Sequence, residues 1–187
     1  MKKLMIALAA VAVAAGVQAA SFNWKNTSGA PATKIFQSDG TTGVAEGTVA
    51  YLFCTADITQ DKLLEAVRGG DALSKYAING ANNVVNSSSK INSLETAFDY
   101  GSVGGTYTFY YALINGDEML ISDTASGQGQ QGATETIGFN SSSTWSKVVK
   151  GDAAYSAAGW YNTVPEPTSG LLLLLGVAGL ALKRKRA

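Results

Sequence analysis

The stretch "GGTYTFYYALINGDEMLISDT", Gly104 to Thr124, decides the fold class. Tyr107, Phe109, Tyr111 and Leu113 fall on one face of an extended chain, and Thr106, Thr108 and Tyr110 on the other. Asn115-Gly116 lies between two apolar runs rich in β-formers, and both residues tolerate the positive φ of a type I′ turn. The pattern predicts a β-hairpin.

Working outward, "GTVAYLFCTADI" (Gly47 to Ile58) places Val49, Tyr51 and Phe53 on one side and Ala50, Leu52 and Cys54 on the other. Apolar residues on both sides predict a central strand rather than an edge. A helix is expected next, capped by Asp57 or Thr59, carried by Leu63, Leu64 and Val67, and stopped by Arg68-Gly69-Gly70. A second short helix is expected over Asp71 to Ile78, ended by Asn79-Gly80. "ANNVVNSSSKINS" reads as a loop or edge strand. "SFNWKNTSGAPATKIFQSDGTTGVAEG" reads as short strands joined by turns, and "ASGQGQQG" as a flexible loop. "ATETIGF", "TWSKVV" and "AAGWYNTV" are three more candidate strands. Many short strands with one or two short helices predict a mainly β domain, an antiparallel sandwich or barrel-like sheet, with α+β as the alternative.

The ends differ from this middle. "MKKLMIALAAVAVAAGVQAA" has Lys2 and Lys3, an apolar run from Leu4 to Val17, and small residues closing it, which is the layout of a secretory signal peptide. Val17 and Ala19 take the −3 and −1 places for a cut between Ala19 and Ala20. Residues 1–19 are therefore expected to be removed, and 20–163 to form the exported domain. From Ala20 to Val164 there are eight Lys and Arg against thirteen Asp and Glu, a net charge of −5. That charge excludes a binder that tracks nucleic-acid phosphates and suits a soluble exported domain.

Nothing in the middle names a reaction. The chain has no histidine, so a Ser-His-Asp triad cannot form, and Cys54, the single cysteine, has no partner for a disulfide, a thiol dyad or a Cys/His zinc site. In its apolar stretch Cys54 reads as a buried small hydrophobe. Paired-carboxylate hydrolysis needs only Asp and Glu, and Asp57, Asp61, Glu65, Asp117 and Glu118 are the candidates. The first three sit at a helix and the last two beside a turn, where acids serve the fold, so no catalytic residue, cofactor or metal is expected. "SDGTTG" (Ser38 to Gly43) has one acid and lacks the spacing of a calcium loop, so it reads as a turn. Tyr107, Tyr110, Tyr111, Trp145, Trp160 and Tyr161 are the candidate platform for sugar rings if the domain is a carbohydrate-binding module. Aromatics on strands more often pack the core. Asn26, Asn86 and Asn140 each begin an Asn-x-Ser triplet, permissive for glycosylation but close to chance in so Ser/Thr-rich a chain.

The chain ends on "VPEPTSGLLLLLGVAGLALKRKRA". Gly170 to Leu182 is 13 residues without a charge. As a helix it covers about 20 Å, less than the ~30 Å hydrocarbon core, but Lys183, Arg184, Lys185 and Arg186 follow and can extend the span by snorkelling. A core helix would show a polar face, and this segment has none. The basic cluster puts its own end in the cytoplasm and the domain outside. A GPI signal would need a polar spacer and an apolar end. Pro165-Glu166-Pro167, the apolar span and the basic end together resemble the PEP-CTERM sorting signal of exported bacterial proteins. The resemblance covers 164–187 only. It implies an exosortase, a membrane-embedded cysteine transpeptidase, as processing partner, with Pro165, Glu166 and Pro167 as recognition residues. It further implies 170–182 as a transient transmembrane helix in the inner membrane and Lys183 to Arg186 as the stop. The domain would then reach the cell surface or extracellular matrix, where exopolysaccharide or envelope components are candidate partners.

Overall fold

A computed structural model describes residues 18–26, 34–139 and 158–164. Among the described residues the fold is mainly β, with two sheets and one α-helix. β1 (Ala20–Lys25) is the middle strand of a three-stranded sheet, flanked by β4 (Phe98–Tyr100) and β8 (Thr134–Gly138). The six-stranded sheet runs β3 (Asn83–Val84), β2 (Val49–Cys54), β5 (Thr106–Asn115), β6 (Glu118–Ile121), β9 (Gly159–Asn162), with β7 (Ala125–Gln128) also paired to β5.

The two-faced pattern of the opening stretch becomes two cores. Phe109, Tyr111 and Leu113 of β5 join Ala50, Leu52 and Cys54 of β2 against Phe22 and Trp24 of β1, Phe98 and Ile137. Ring pairs bridge the sheets, Phe22–Phe109 and Trp24–Tyr111 each at 5.3 Å between centroids. On the opposite face Tyr110 and Ala112 join Phe53, Met119, Ile121 and Tyr161 beneath the helix α1 (Gln60–Arg68). The order is therefore sheet, sheet, helix. β2 and β5, buried on both sides, take the two-sided apolar sequence such strands need.

α1 forms where expected. Thr59 is the N-cap, with Lys62 N–H at 3.5 Å from its Oγ1, and Asp61 and Arg68 complement the helix dipole at opposite ends. Leu63, Leu64 and Val67 are buried. Gly70, at φ +97°, takes the left-handed conformation that ends the helix, while Asp71 N–H donates to Ala66 O at 3.0 Å.

Five expectations are corrected. The hairpin register pairs Asn115 with Glu118, so the two-residue turn is Gly116-Asp117, one position later than the sequence suggested. Positive φ occurs at Gly116 alone (63°), the pattern of a type II′ rather than a type I′ turn. The helix expected over Asp71 to Ile78 is a single 3-10 turn, Leu73–Lys75, with Leu73 buried beneath it. The flexible loop expected from Ala125 contains β7, because β5 outlasts β6 and offers its first half as a ladder (Thr106↔Gln128 to Phe109↔Ala125). Gly127 belongs there: an added Cβ would sit 3.1–3.4 Å from Phe22, Ile137 and Phe109. The sandwich is also not wholly antiparallel, since β1 and β8 pair in parallel from Ser21↔Thr134 to Lys25↔Gly138. "TWSKVV" and the predicted transmembrane helix lie outside the described residues. Among the described residues no helix is long and apolar enough to cross a membrane.

The Ser38–Gly43 turn forms as expected and predicts an acid response. Asp39 Oδ1 accepts from Thr41 N–H and Thr42 N–H, both at 2.8 Å. Hydrogen bonds from the Thr42 side chain and from the Thr41 and Thr42 backbone hold the carboxyl down at about 2, from an ordinary 3.8. With the folded value depressed, the carboxylate's contribution is complete above the ordinary value and is lost as pH falls through about 2. The Thr41 and Thr42 amide resonances should therefore titrate near pH 2, and Asp39→Asn should abolish the transition. A midpoint at the ordinary value would show that these bonds do not hold the turn.

Candidate functional site

The region that leads into the sorting segment is built by the last strand. β9 pairs antiparallel with β6, from Glu118↔Asn162 to Ile121↔Gly159. Aromatic residues seat it on both faces. Trp160, fully buried in the inter-sheet core, donates its indole N–H to Phe36 O at 3.1 Å, and Tyr161 is buried in the core under α1. Arg68 Nε donates to Asn162 O at 3.1 Å, tying the end of α1 to the strand. The last fastening is Thr163, whose N–H (2.9 Å) and Oγ1 hydroxyl (2.8 Å) both donate to Asp117 O at the hairpin turn. Glu118 beside it accepts a hydrogen bond from the Ser38 hydroxyl. Val164 follows and is 57% exposed. Among the described residues Thr163 is thus the last one fastened to the fold, and a single residue separates it from Pro165 in the sequence.

The residues before β1 and after β9 are held at opposite ends of β5. Gln18 O accepts from Val103 N–H at 3.0 Å, just before β5 begins, whereas Thr163 is held just after β5 ends. β5 has 10 residues, about 30 Å at the usual rise per strand residue.

Pro165, Glu166, Pro167 and the basic residues Lys183, Arg184, Lys185 and Arg186 lie outside the described residues. The candidate carboxylates are placed as the fold requires. Asp57 Oδ2 accepts from Tyr100 OH at 2.7 Å. Burial, with added hydrogen bonds to Cys54 and Asp57, pushes the Tyr100 phenol well above its ordinary value and keeps it a donor. Asp61 and Glu65 are exposed on α1, and Asp117 and Glu118 belong to the hairpin end just described. Cys54 is buried with a free thiol. Among the described residues no three His, Cys, Asp or Glu side chains come together as metal ligands.

The described candidate aromatics pack the cores, as strand aromatics more often do, rather than forming a platform. Tyr110, Tyr111, Trp160 and Tyr161 are buried, packed on two different faces of the sheet, so they share no surface for a sugar ring. Tyr107 is partly buried and turned inward, its OH accepting from Ser102 N–H at 2.6 Å. Trp145 lies outside the described residues. Asn26 is also spent on the fold: it is fully buried, and its Oδ1 accepts from Ile91 N–H at 2.9 Å. Asn86 Oδ1 accepts from the Ser88 and Lys90 amides within a turn, and Asn140 lies outside the described residues. The fastening of β9 by Thr163 and Arg68 carried no sequence signal of its own, because both use backbone carbonyls as acceptors.

Residues 163–186 match the family model of the PEP-CTERM protein-sorting motif. No curated protein and no solved structure matches the chain. The matched segment begins at Thr163, the residue whose N–H and hydroxyl both donate to Asp117 O. The motif implies processing by an exosortase of an exported, membrane-anchored precursor.

Proposed function

We propose that the chain is a three-part exported precursor: a leader over 1–19, a β-rich domain over 20–163, and a sorting segment over 164–187. The exosortase recognises Pro165-Glu166-Pro167 and cuts near it, while 170–182 holds the precursor in the inner membrane with Lys183 to Arg186 on the cytoplasmic side. The domain is then delivered to the cell surface or the extracellular matrix as a structural or interaction component, not as an enzyme. The observation that carries this reading is the match over 163–186, which begins at Thr163, a residue hydrogen-bonded to the β-rich fold.

Gly170 lies six residues beyond Val164, a reach of at most about 21 Å, so the Thr163 end of the domain sits close to the bilayer while the tail is in it.

The basic end gives the test of orientation. Deleting Lys183 to Arg186 removes four charges, each opposed by several kcal/mol to entering the bilayer core, roughly 2.5–3.5 on insertion scales. Membrane fractionation of the uncut precursor should show it shifting out of the inner-membrane fraction. Unchanged fractionation would contradict the stop-transfer role.

A further inference from the structure

We propose that β9 is at once the last strand of the domain and the upstream part of the processing substrate, so that cleavage requires the end of β9 to detach from β6. The inference rests on the sorting function proposed above and adds a condition under which it operates. A cut anywhere from Val164–Pro165 to Pro167–Thr168 leaves at most four residues between the scissile bond and Thr163, a reach of about 14 Å when fully extended. Enzymes that take an extended peptide bind it through its backbone N–H and C=O groups and alternate side chains. Here those groups are engaged. Tyr161 and Thr163 lie in the ladder toward β6 and the hairpin turn, Thr163 with two bonds to Asp117 O, and Asn162 O accepts from Arg68. One set of backbone donors and acceptors cannot serve the sheet and an enzyme cleft together.

The fastening is graded in a way that suits partial release. Trp160 and Tyr161 are buried anchors, whereas Asn162 and Thr163 are only partly buried and Val164 is exposed. Freeing Asn162 and Thr163 breaks the Arg68 and Asp117 bonds and leaves both aromatic anchors in their cores. That step lengthens the free segment by two residues, to a reach of about 20 Å. Fraying at a strand end is the lowest-energy opening a sheet has. The domain consequently presents its signal in proportion to how often this end opens, and a fully zipped β9 is a poor substrate.

The test locks the end. Glu118 and Asn162 are register partners on β6 and β9, at the Cα spacing a disulfide can bridge. The double substitution Glu118→Cys and Asn162→Cys is made in the full-length chain and expressed with the exosortase in its envelope. Cys54 is buried and does not compete for the new thiols. Conversion of precursor to product is followed under oxidising and reducing conditions. The cross-linked precursor should convert at least about tenfold more slowly than its reduced form, in line with suppressed local opening. Inserting a Gly-Ser spacer of about eight residues between Val164 and Pro165 should restore conversion of the cross-linked form, because the spacer supplies the reach without unzipping. Equal conversion of cross-linked and reduced forms would overturn the proposal while leaving sorting intact. Slow conversion that the spacer fails to rescue would overturn it as well. Failure of the unsubstituted precursor to convert at all would instead sink the sorting function on which the proposal rests.

Discussion

Trp24→Ala should remove most of the stability of the exported domain. Trp24 is fully buried on the central strand of the three-stranded sheet, and its ring meets Tyr111 at 5.3 Å and Phe139 at 5.8 Å. It is thus a principal bridge between the two sheets. Its indole N–H also donates to Ala81 O, on the loop that carries the chain to β3. Truncating a buried tryptophan costs about 3–5 kcal/mol through lost transfer energy and the cavity left behind. Leaving the Ala81 carbonyl without its donor adds roughly 1–3 kcal/mol unless water reaches it. Against a typical total of about 5–15 kcal/mol, the variant should be marginal or unfolded at ambient temperature. Chemical denaturation followed by circular dichroism measures this as a lowered midpoint. Trp24→Phe separates the two contributions, since it keeps a ring between the sheets but no N–H, and should fall between wild type and Trp24→Ala. A stability loss of less than about 1 kcal/mol for Trp24→Ala would mean that the two sheets do not share this core.

Replacing Pro165, Glu166 and Pro167 together with alanine should block maturation. Two prolines separated by one residue prevent a regular helix or ladder, and the residue before each is pushed toward extended conformations. By sequence the tripeptide is therefore disposed against regular structure. Alanine reverses this preference by about 3 kcal/mol per proline, favouring a helix that runs back from the span toward Val164. The charge of Glu166, the one acidic residue beyond the domain, is lost as well. Removal of as little as about 2.7 kcal/mol of transition-state stabilisation slows cleavage roughly a hundredfold. Pulse-labelling should then show an uncut membrane form accumulating. Glu166→Gln alone keeps the backbone and tests the charge by itself. Normal maturation of the triple variant would defeat the assignment of these residues as the recognition element.

How much of this was legible in the sequence follows from how local each signal is. The faces of β5 and β2 could be read from alternation, because each strand sends its odd and even residues into different cores. α1 was legible from a cap, three apolar residues and a double glycine. The hairpin turn was misplaced by one residue because Asn115 and Gly116 both accept positive φ. The register is chosen instead by burial: Leu120 opposite Leu113 enters the inter-sheet core, while Met119 and Ile121 enter the core under α1. β7 was hidden since Ala-Ser-Gly-Gln has little intrinsic strand preference; its partner and the crowding around Gly127 make it a strand. The parallel pairing of β1 with β8 joins segments more than 100 residues apart and has no local signature. The aromatic platform failed for the same reason that the fold succeeded: with both faces of the large sheet covered, strand aromatics have two cores to fill.

The sorting segment was the most legible part, since motif, span and basic end are contiguous and need no tertiary contact. What the domain does after delivery rests on groups that the fold has largely absorbed. Asp57 is bonded to Tyr100, Asp117 holds Thr163, Asn26 holds Ile91, and the buried tyrosines and Trp160 pack the cores.

The most direct measurement is the intact mass of the protein recovered from the envelope or medium of an exosortase-bearing host, with peptide mapping of both ends. A mature species that begins at Ala20 and ends at a residue from Val164 to Pro167 is expected, with no peptide from the 170–182 span or from Lys183 to Arg186. Recovery of the surface protein with its tail intact to Ala187 would contradict the sorting assignment.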